Sequence, residues 1–141
     1  MSGPINKMHT FYMNIAIAAS HLSSAKRNKV GAVLVKDTNI VSFGYNGTPS
    51  GCDNTCEDLN NATLPTVIHS ELNAISKAAK QGVSTNGTTL YCTLSPCYEC
   101  SKAIIQAGIS EVIYLDEYRI TESIEFLKTC NIKVSKFENI V

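Results

Sequence analysis

The chain has 141 residues, 44% of them apolar and 17% charged, with 12 Lys and Arg balanced by 12 Asp and Glu. That size and composition predict one globular domain over 1–141 and exclude two. A formal net charge of zero gives no field for a phosphate backbone or an anionic bilayer, so neither nucleic acid nor membrane is an expected partner, and any phosphate must be met by a local cation. Aromatic residues make up only 7% and Trp is absent, which argues against a groove that stacks single-stranded bases. Six cysteines fall below the density of a disulfide scaffold, and two form Cys97-x-x-Cys100, which points to a reducing, cytoplasmic setting.

In chain order, Thr10 is placed to cap a first helix running to about Ser23, with Phe11, Ile15, Ala18, Ala19 and Leu22 recurring at helical spacing as its core-facing stripe. The apolar stretch from Phe11 to Ala19 is too short to span a bilayer, and Asn14 interrupts it as a signal sequence. A polar loop, Ser23–Lys29, leads to a strand over Val30–Val35, a turn at Lys36–Asn39 and a second strand over Ile40–Tyr45, together a hairpin. Turn-forming residues from Asn46 to Gly51 open a loop that extends to Thr66, rich in Cys, Asp, Asn and Glu and long enough to suggest function.

Helical periodicity resumes at Val67 or Ile68 and ends at Gln81, with Gly82 as the stop. Thr88–Leu94 reads as a strand, Cys97–Ala107 as a helix ended by Gly108, and Glu111–Leu115 as a buried strand. A helix capped by Thr121 and running to about Thr129 follows, then a last strand over Ile132–Ser135. A hairpin followed by alternating helices and strands predicts an α/β fold: a mixed sheet of about five strands, the later ones parallel, with helices on both faces.

Chemistry concentrates at His69-Ser70-Glu71 and Pro96-Cys97-x-x-Cys100, each opening a helix. Cys97 and Cys100 share a helix face, and the helix N-terminus favours their thiolates. One His and two Cys leave a tetrahedral zinc with its fourth position open to water, as in a catalytic site. Glu71 lies about 200° around a regular helix from His69, so it is expected to serve not as a ligand but as the acid and base beside the metal. The combination His-x-Glu with Pro-Cys-x-x-Cys is the signature of zinc nucleobase deaminases. The competing reading of the same cluster is a structural zinc staple, which leaves Glu71 without a role.

On these residues the chain resembles the zinc-dependent cytidine deaminase superfamily, and within it the deoxycytidylate (dCMP) deaminases of bacterial and phage type. The resemblance runs from about Phe11 to Val134 and rests on Val30–Val33, Gly44–Gly51, His69–Ala74, Tyr91–Cys97 and Gln106–Ile109, in that order. It implies a three-layer deaminase fold and hydrolysis of dCMP to dUMP and ammonia, supplying thymidylate synthesis. Glu71 would carry protons between the attacking water, ring N3 and the leaving amine.

The resemblance also implies backbone contacts to the base near Ala32 and Ser95, and Asn46 on the sugar hydroxyl. Arg27 belongs to the densest basic cluster, Lys26-Arg27-Asn28-Lys29, and its guanidinium suits a phosphate. Its position matches that of the family's phosphate-binding arginine, with Ser23 as a hydroxyl partner, and Tyr118 matches a substrate-side tyrosine. Many members are homohexamers activated by dCTP and inhibited by dTTP with Mg²⁺, which makes Tyr45 and Gly47 candidate effector-side residues. Some relatives hold a second, structural zinc in the loop that here carries Cys52 and Cys56; a single zinc is the preferred reading. The alternative function is deamination of another free cytosine nucleoside or nucleotide without allosteric control.

Overall fold

The computed structural model describes residues 4–141. Its elements are α1 (Pro4–Ser20), β1 (Gly31–Lys36), β2 (Asn39–Tyr45), α2 (Ser70–Gln81), β3 (Thr89–Leu94), α3 (Tyr98–Gln106), β4 (Glu111–Asp116), α4 (Glu122–Thr129) and β5 (Lys133–Lys136), with a final 3₁₀ turn over Phe137–Asn139. The five strands form one sheet in the order β2-β1-β3-β4-β5. β1 is antiparallel to both neighbours, while β3, β4 and β5 run parallel, as the helical crossovers between them require. The hairpin turns through Asp37 and Thr38, both with positive φ (50° and 66°), the geometry that matches the twist of the two strands.

The period of two in each strand divides the core. Ala32, Leu34, Leu90, Cys92, Val112 and Tyr114 pack with Ala74, Ile104, Ile124 and Leu127 from α2, α3 and α4. The alternate residues Val33, Val35, Tyr91 and Ile113 pack on the opposite face with Tyr12, Met13 and Ala16 of α1. Helices therefore cover both faces, giving the predicted three layers.

Two predictions for the first helix are corrected. α1 begins at Pro4, so Thr10 lies inside it and caps nothing. Its buried stripe is Tyr12, Met13, Ala16, Ala19 and Ser20, whereas Phe11, Ala18 and Leu22 face outward. Apolar residues recur on both sides of this helix, so periodicity alone left its rotation open. Close packing decides it, because a Cβ at Gly31 would strike Ala16 O and Ser20 N. Thr121 does precede α4, but with helical dihedrals and no side-chain capping bond.

A second close approach positions the site. A Cβ at Gly44, near the end of β2, would strike Ser70 O and Ala74 N, so the glycine lets the first turn of α2 sit directly on the strand. α2 ends at Gly82 in the left-handed conformation (φ 72°), its N–H returning to the helix carbonyls of Ala78 and Ala79.

Candidate active site

Each half of the chemical signature sits at a helix N-cap. His69 (φ −69°, ψ 155°) precedes α2 and Cys97 (φ −75°, ψ 176°) precedes α3, both with extended backbone. Because His69 is not yet helical, the 200° separation expected of a regular helix does not apply, and His69 and Glu71 line one cavity. The parallel crossover through β3 brings the two N-termini side by side. His69 Nδ1 lies 3.3 Å from Cys100 Sγ and 3.5 Å from Cys97 Sγ.

All three donor atoms fall within 4.8 Å of one another. Zinc–sulfur and zinc–nitrogen bonds of about 2.3 and 2.0 Å at a tetrahedral angle put N and S about 3.5 Å apart, so the donor set fits zinc as it stands. Without metal, the Cys97 thiol is drawn down to about 3 by hydrogen bonds from Cys100 and His69. Cys100, donating to that thiolate and buried behind it, is pushed up, and the bond to Cys97 raises His69.

Glu71 is buried, 4% exposed, and burial pushes its carboxyl above the ordinary glutamate value against the opposing hydrogen bond donated by Ser70 Oγ. A carboxyl raised in this way holds its proton more readily than an exposed glutamate, which suits a group that must take up and release one during a reaction.

The cavity around these groups has a volume of about 360 Å³, within the range for a small ligand. Arg27, Asn46, Ser95 and Tyr118 line it together with His69, Glu71 and Cys97. Asn46 is tied at both ends of its amide: Oδ1 accepts Val30 N–H at 2.8 Å and Nδ2 donates to Asn28 O at 2.7 Å. Ser95 Oγ accepts Tyr118 N–H at 2.6 Å, which fixes the segment after β4 against the cavity floor.

Two of the expected substrate-side residues, Ser23 and Ala32, are not among those lining the cavity. Ser23 lies behind the wall, where its hydroxyl donates to Asn46 O at 2.6 Å and accepts Ala25 N–H. Ala32 is fully buried in the ladder between β2 and β3, and Val30, two residues before it, lines the cavity. Tyr45 and Gly47 do not line the cavity: the Tyr45 ring lies 5.1 Å from the Lys77 ammonium, and Gly47 pairs with Ile68, one residue before His69. Cys56, by contrast, does line the cavity; it is buried with Sγ 3.7 Å from Ser24 Oγ, while Cys52 is exposed and outside it.

Sequence reasoning missed Glu57 and Thr63, which enter the same cavity from the long loop. Loop composition marked the segment as functional but offered no period from which to pick these two.

A five-stranded mixed sheet carrying a His-Cys-Cys donor set and a buried carboxylate at two adjoining helix N-termini defines a zinc-dependent hydrolytic domain. The family model of the cytidine and deoxycytidylate deaminase zinc-binding region matches residues 6–116, and the chain belongs to that family. It is similar to the solved dCMP deaminase of cyanophage S-TIM5 in complex with dCMP and dUMP, with TM-score 0.90 and 44% identity over 96% of this chain and 99% of that one. It is also 37% identical to the deoxycytidylate deaminase of Saccharomyces cerevisiae over 91% of this chain, and 36% identical to that of Mycobacterium phage D29 over 76% of this chain and 93% of the relative. The chain spans 44% of the length of the yeast protein. Among the described residues no helix is long and apolar enough to cross a membrane.

Proposed function

We propose that the protein hydrolyses dCMP to dUMP and ammonia, with zinc held by His69, Cys97 and Cys100. The observation that carries this reading is a single cavity that holds the metal donor set and Glu71 together with Arg27, the cation a 5′-phosphate needs. Zinc, when bound, supplies an acidified water as nucleophile at neutral pH. Glu71 takes a proton from the attacking water and delivers it to ring N3, then takes the second water proton from the hydroxyl formed at C4 and delivers it to the departing amine, and so ends the cycle ionised as it began. Ser95 and the backbone around it border the base, Asn46 presents its amide to the sugar hydroxyl, and Tyr118 contributes to the substrate-facing lining. Likeness to the cyanophage enzyme, whose structure holds dCMP and dUMP, supports the substrate assignment.

The reading extends to one catalytic domain spanning 1–141, a homohexameric assembly, and control by dCTP and dTTP with Mg²⁺. The Gly47–Ile68 bridge supports a regulatory role for the Tyr45–Gly47 segment, because it joins that segment to the residue preceding His69. Six unpaired cysteines support a reducing, cytoplasmic location. Ammonia release from dCMP and from deoxycytidine by the zinc-loaded protein tests the activity. Adding dCTP·Mg²⁺ or dTTP·Mg²⁺ tests the control, which requires opposite responses to the two.

A further inference from the structure

Glu57 is a carboxylate, 9% exposed, in the wall of a cavity proposed to receive a dianionic phosphate. A negative charge there works against the ligand unless it does something else. Its Oε2 accepts two consecutive backbone N–H groups, Lys26 at 2.9 Å and Arg27 at 3.2 Å. Adjacent amides turned toward one oxygen form an anion-binding concavity, and here a side chain of the protein fills it.

The segment that carries Glu57 is itself a small hairpin. Glu57 and Thr63 form an antiparallel bridge, Asp58 N–H donates to Ala62 O, and Leu64 N–H donates to Cys56 O. Asp58 Oδ1 accepts Asn60 N–H and Ala62 N–H across the tip, where Asn61 adopts a φ of 63°. The opposite strand of the hairpin reaches the other end of the arginine: Thr63 Oγ1 accepts from Arg27 Nη1 at 3.4 Å. The backbone and guanidinium of Arg27 are thus both held by residues 57 and 63.

We propose that the 56–64 hairpin is a clamp that pre-positions Arg27, with Glu57 as its principal positioning residue and Thr63 as the second hold. The clamp sets the preference for a 5′-phosphorylated nucleotide over the bare nucleoside. An unclamped arginine on the Ser23–Lys29 loop would lose rotamer and backbone freedom on meeting the phosphate, and the clamp removes that cost before binding. This inference rests on the reading that Arg27 meets the phosphate.

The test is a double-mutant cycle on zinc-loaded protein, with kcat and KM measured for dCMP and deoxycytidine in R27A, E57A, E57Q, T63V and R27A/E57A. The clamp predicts that E57A raises KM for dCMP about tenfold with kcat changed by less than threefold, the scale of one lost charged hydrogen-bonding group. E57Q, which keeps an accepting oxygen and the side-chain volume, recovers most of that loss; T63V, which removes only the hold on the guanidinium, carries the test if E57A does not fold, with a smaller rise in KM for dCMP and none for deoxycytidine. In the R27A background, E57A adds no further rise, because Glu57 acts only through Arg27. If R27A itself leaves the preference for dCMP unchanged, the phosphate reading fails and the clamp with it. If R27A abolishes the preference but E57A adds to it in full, or E57A and E57Q lower kcat on both substrates equally, the clamp alone is overturned.

Discussion

His69 Nδ1 and Cys100 Sγ lie 3.3 Å apart across 31 residues of chain, the separation that a shared zinc ion demands. The meeting of two helix N-termini sets the three donors within 4.8 Å of one another. Cys100→Ser should therefore lower the zinc content of purified protein well below one per subunit and lower Tm in zinc-containing buffer. Retention of full zinc with unchanged Tm would remove Cys100 from the ligand set.

Glu71 is assigned to proton transfer and not to the metal. Glu71→Gln keeps the volume and the hydrogen bond with Ser70 but cannot carry the proton. It should lower kcat by about 10²- to 10⁴-fold while zinc stoichiometry, measured by metal analysis, stays at the wild-type value. Loss of zinc in step with activity would instead make Glu71 a ligand or a structural support.

Burial raises the Glu71 carboxyl above the ordinary value of 4.5 in the metal-free protein. The folded state then holds the proton to higher pH than the unfolded chain. This contribution to stability is fully present below about pH 4.5 and is lost as pH rises through the folded value. Glu71→Gln has no such loss, so the Tm advantage of metal-free E71Q over metal-free wild type should grow with pH. A difference that does not vary with pH would show that Glu71 is not buried as described.

Gly44 allows the first turn of α2 to rest on β2, and a methyl group there meets the α2 backbone at Ser70 and Ala74. Gly44→Ala should cost about 1–3 kcal/mol in denaturant unfolding, because rigid backbone must move to admit the side chain. It should also weaken zinc retention, since the displaced turn carries His69 and Glu71. An unfolding midpoint equal to wild type would contradict the packing.

The alternation of strand residues and the stops at Gly82 and Gly108 were legible in the sequence because each is a local signal: a period of two, and a glycine with positive φ (72° and 80°). The metal donors were legible for the same reason, as two short motifs at helix starts. The rotation of α1 was not, because Phe11 and Leu22 are as apolar as Tyr12, Met13 and Ala16, and contacts distant in sequence, such as the close approach of Gly31 to Ala16, separate the two faces. Resemblance gave Ser23 as a hydroxyl partner of Arg27 and the backbone near Ala32 as a base contact; the Ser23 hydroxyl donates to Asn46 O, and Val30, two residues before the buried Ala32, lines the cavity. Glu57 and Thr63 escaped notice because their partners lie 30 and 36 residues away, and no local pattern encodes a contact made by an irregular loop.

The central claim is that one cavity joins a deaminating centre to a phosphate-binding arginine. Ammonia release by the zinc-loaded protein, followed with dCMP and deoxycytidine at matched concentrations below saturation, tests it most directly. The account predicts turnover of dCMP at a rate at least tenfold above that of deoxycytidine, with the difference lost in R27A. Equal turnover of the two substrates, or no release from dCMP by fully zinc-loaded protein, would contradict it.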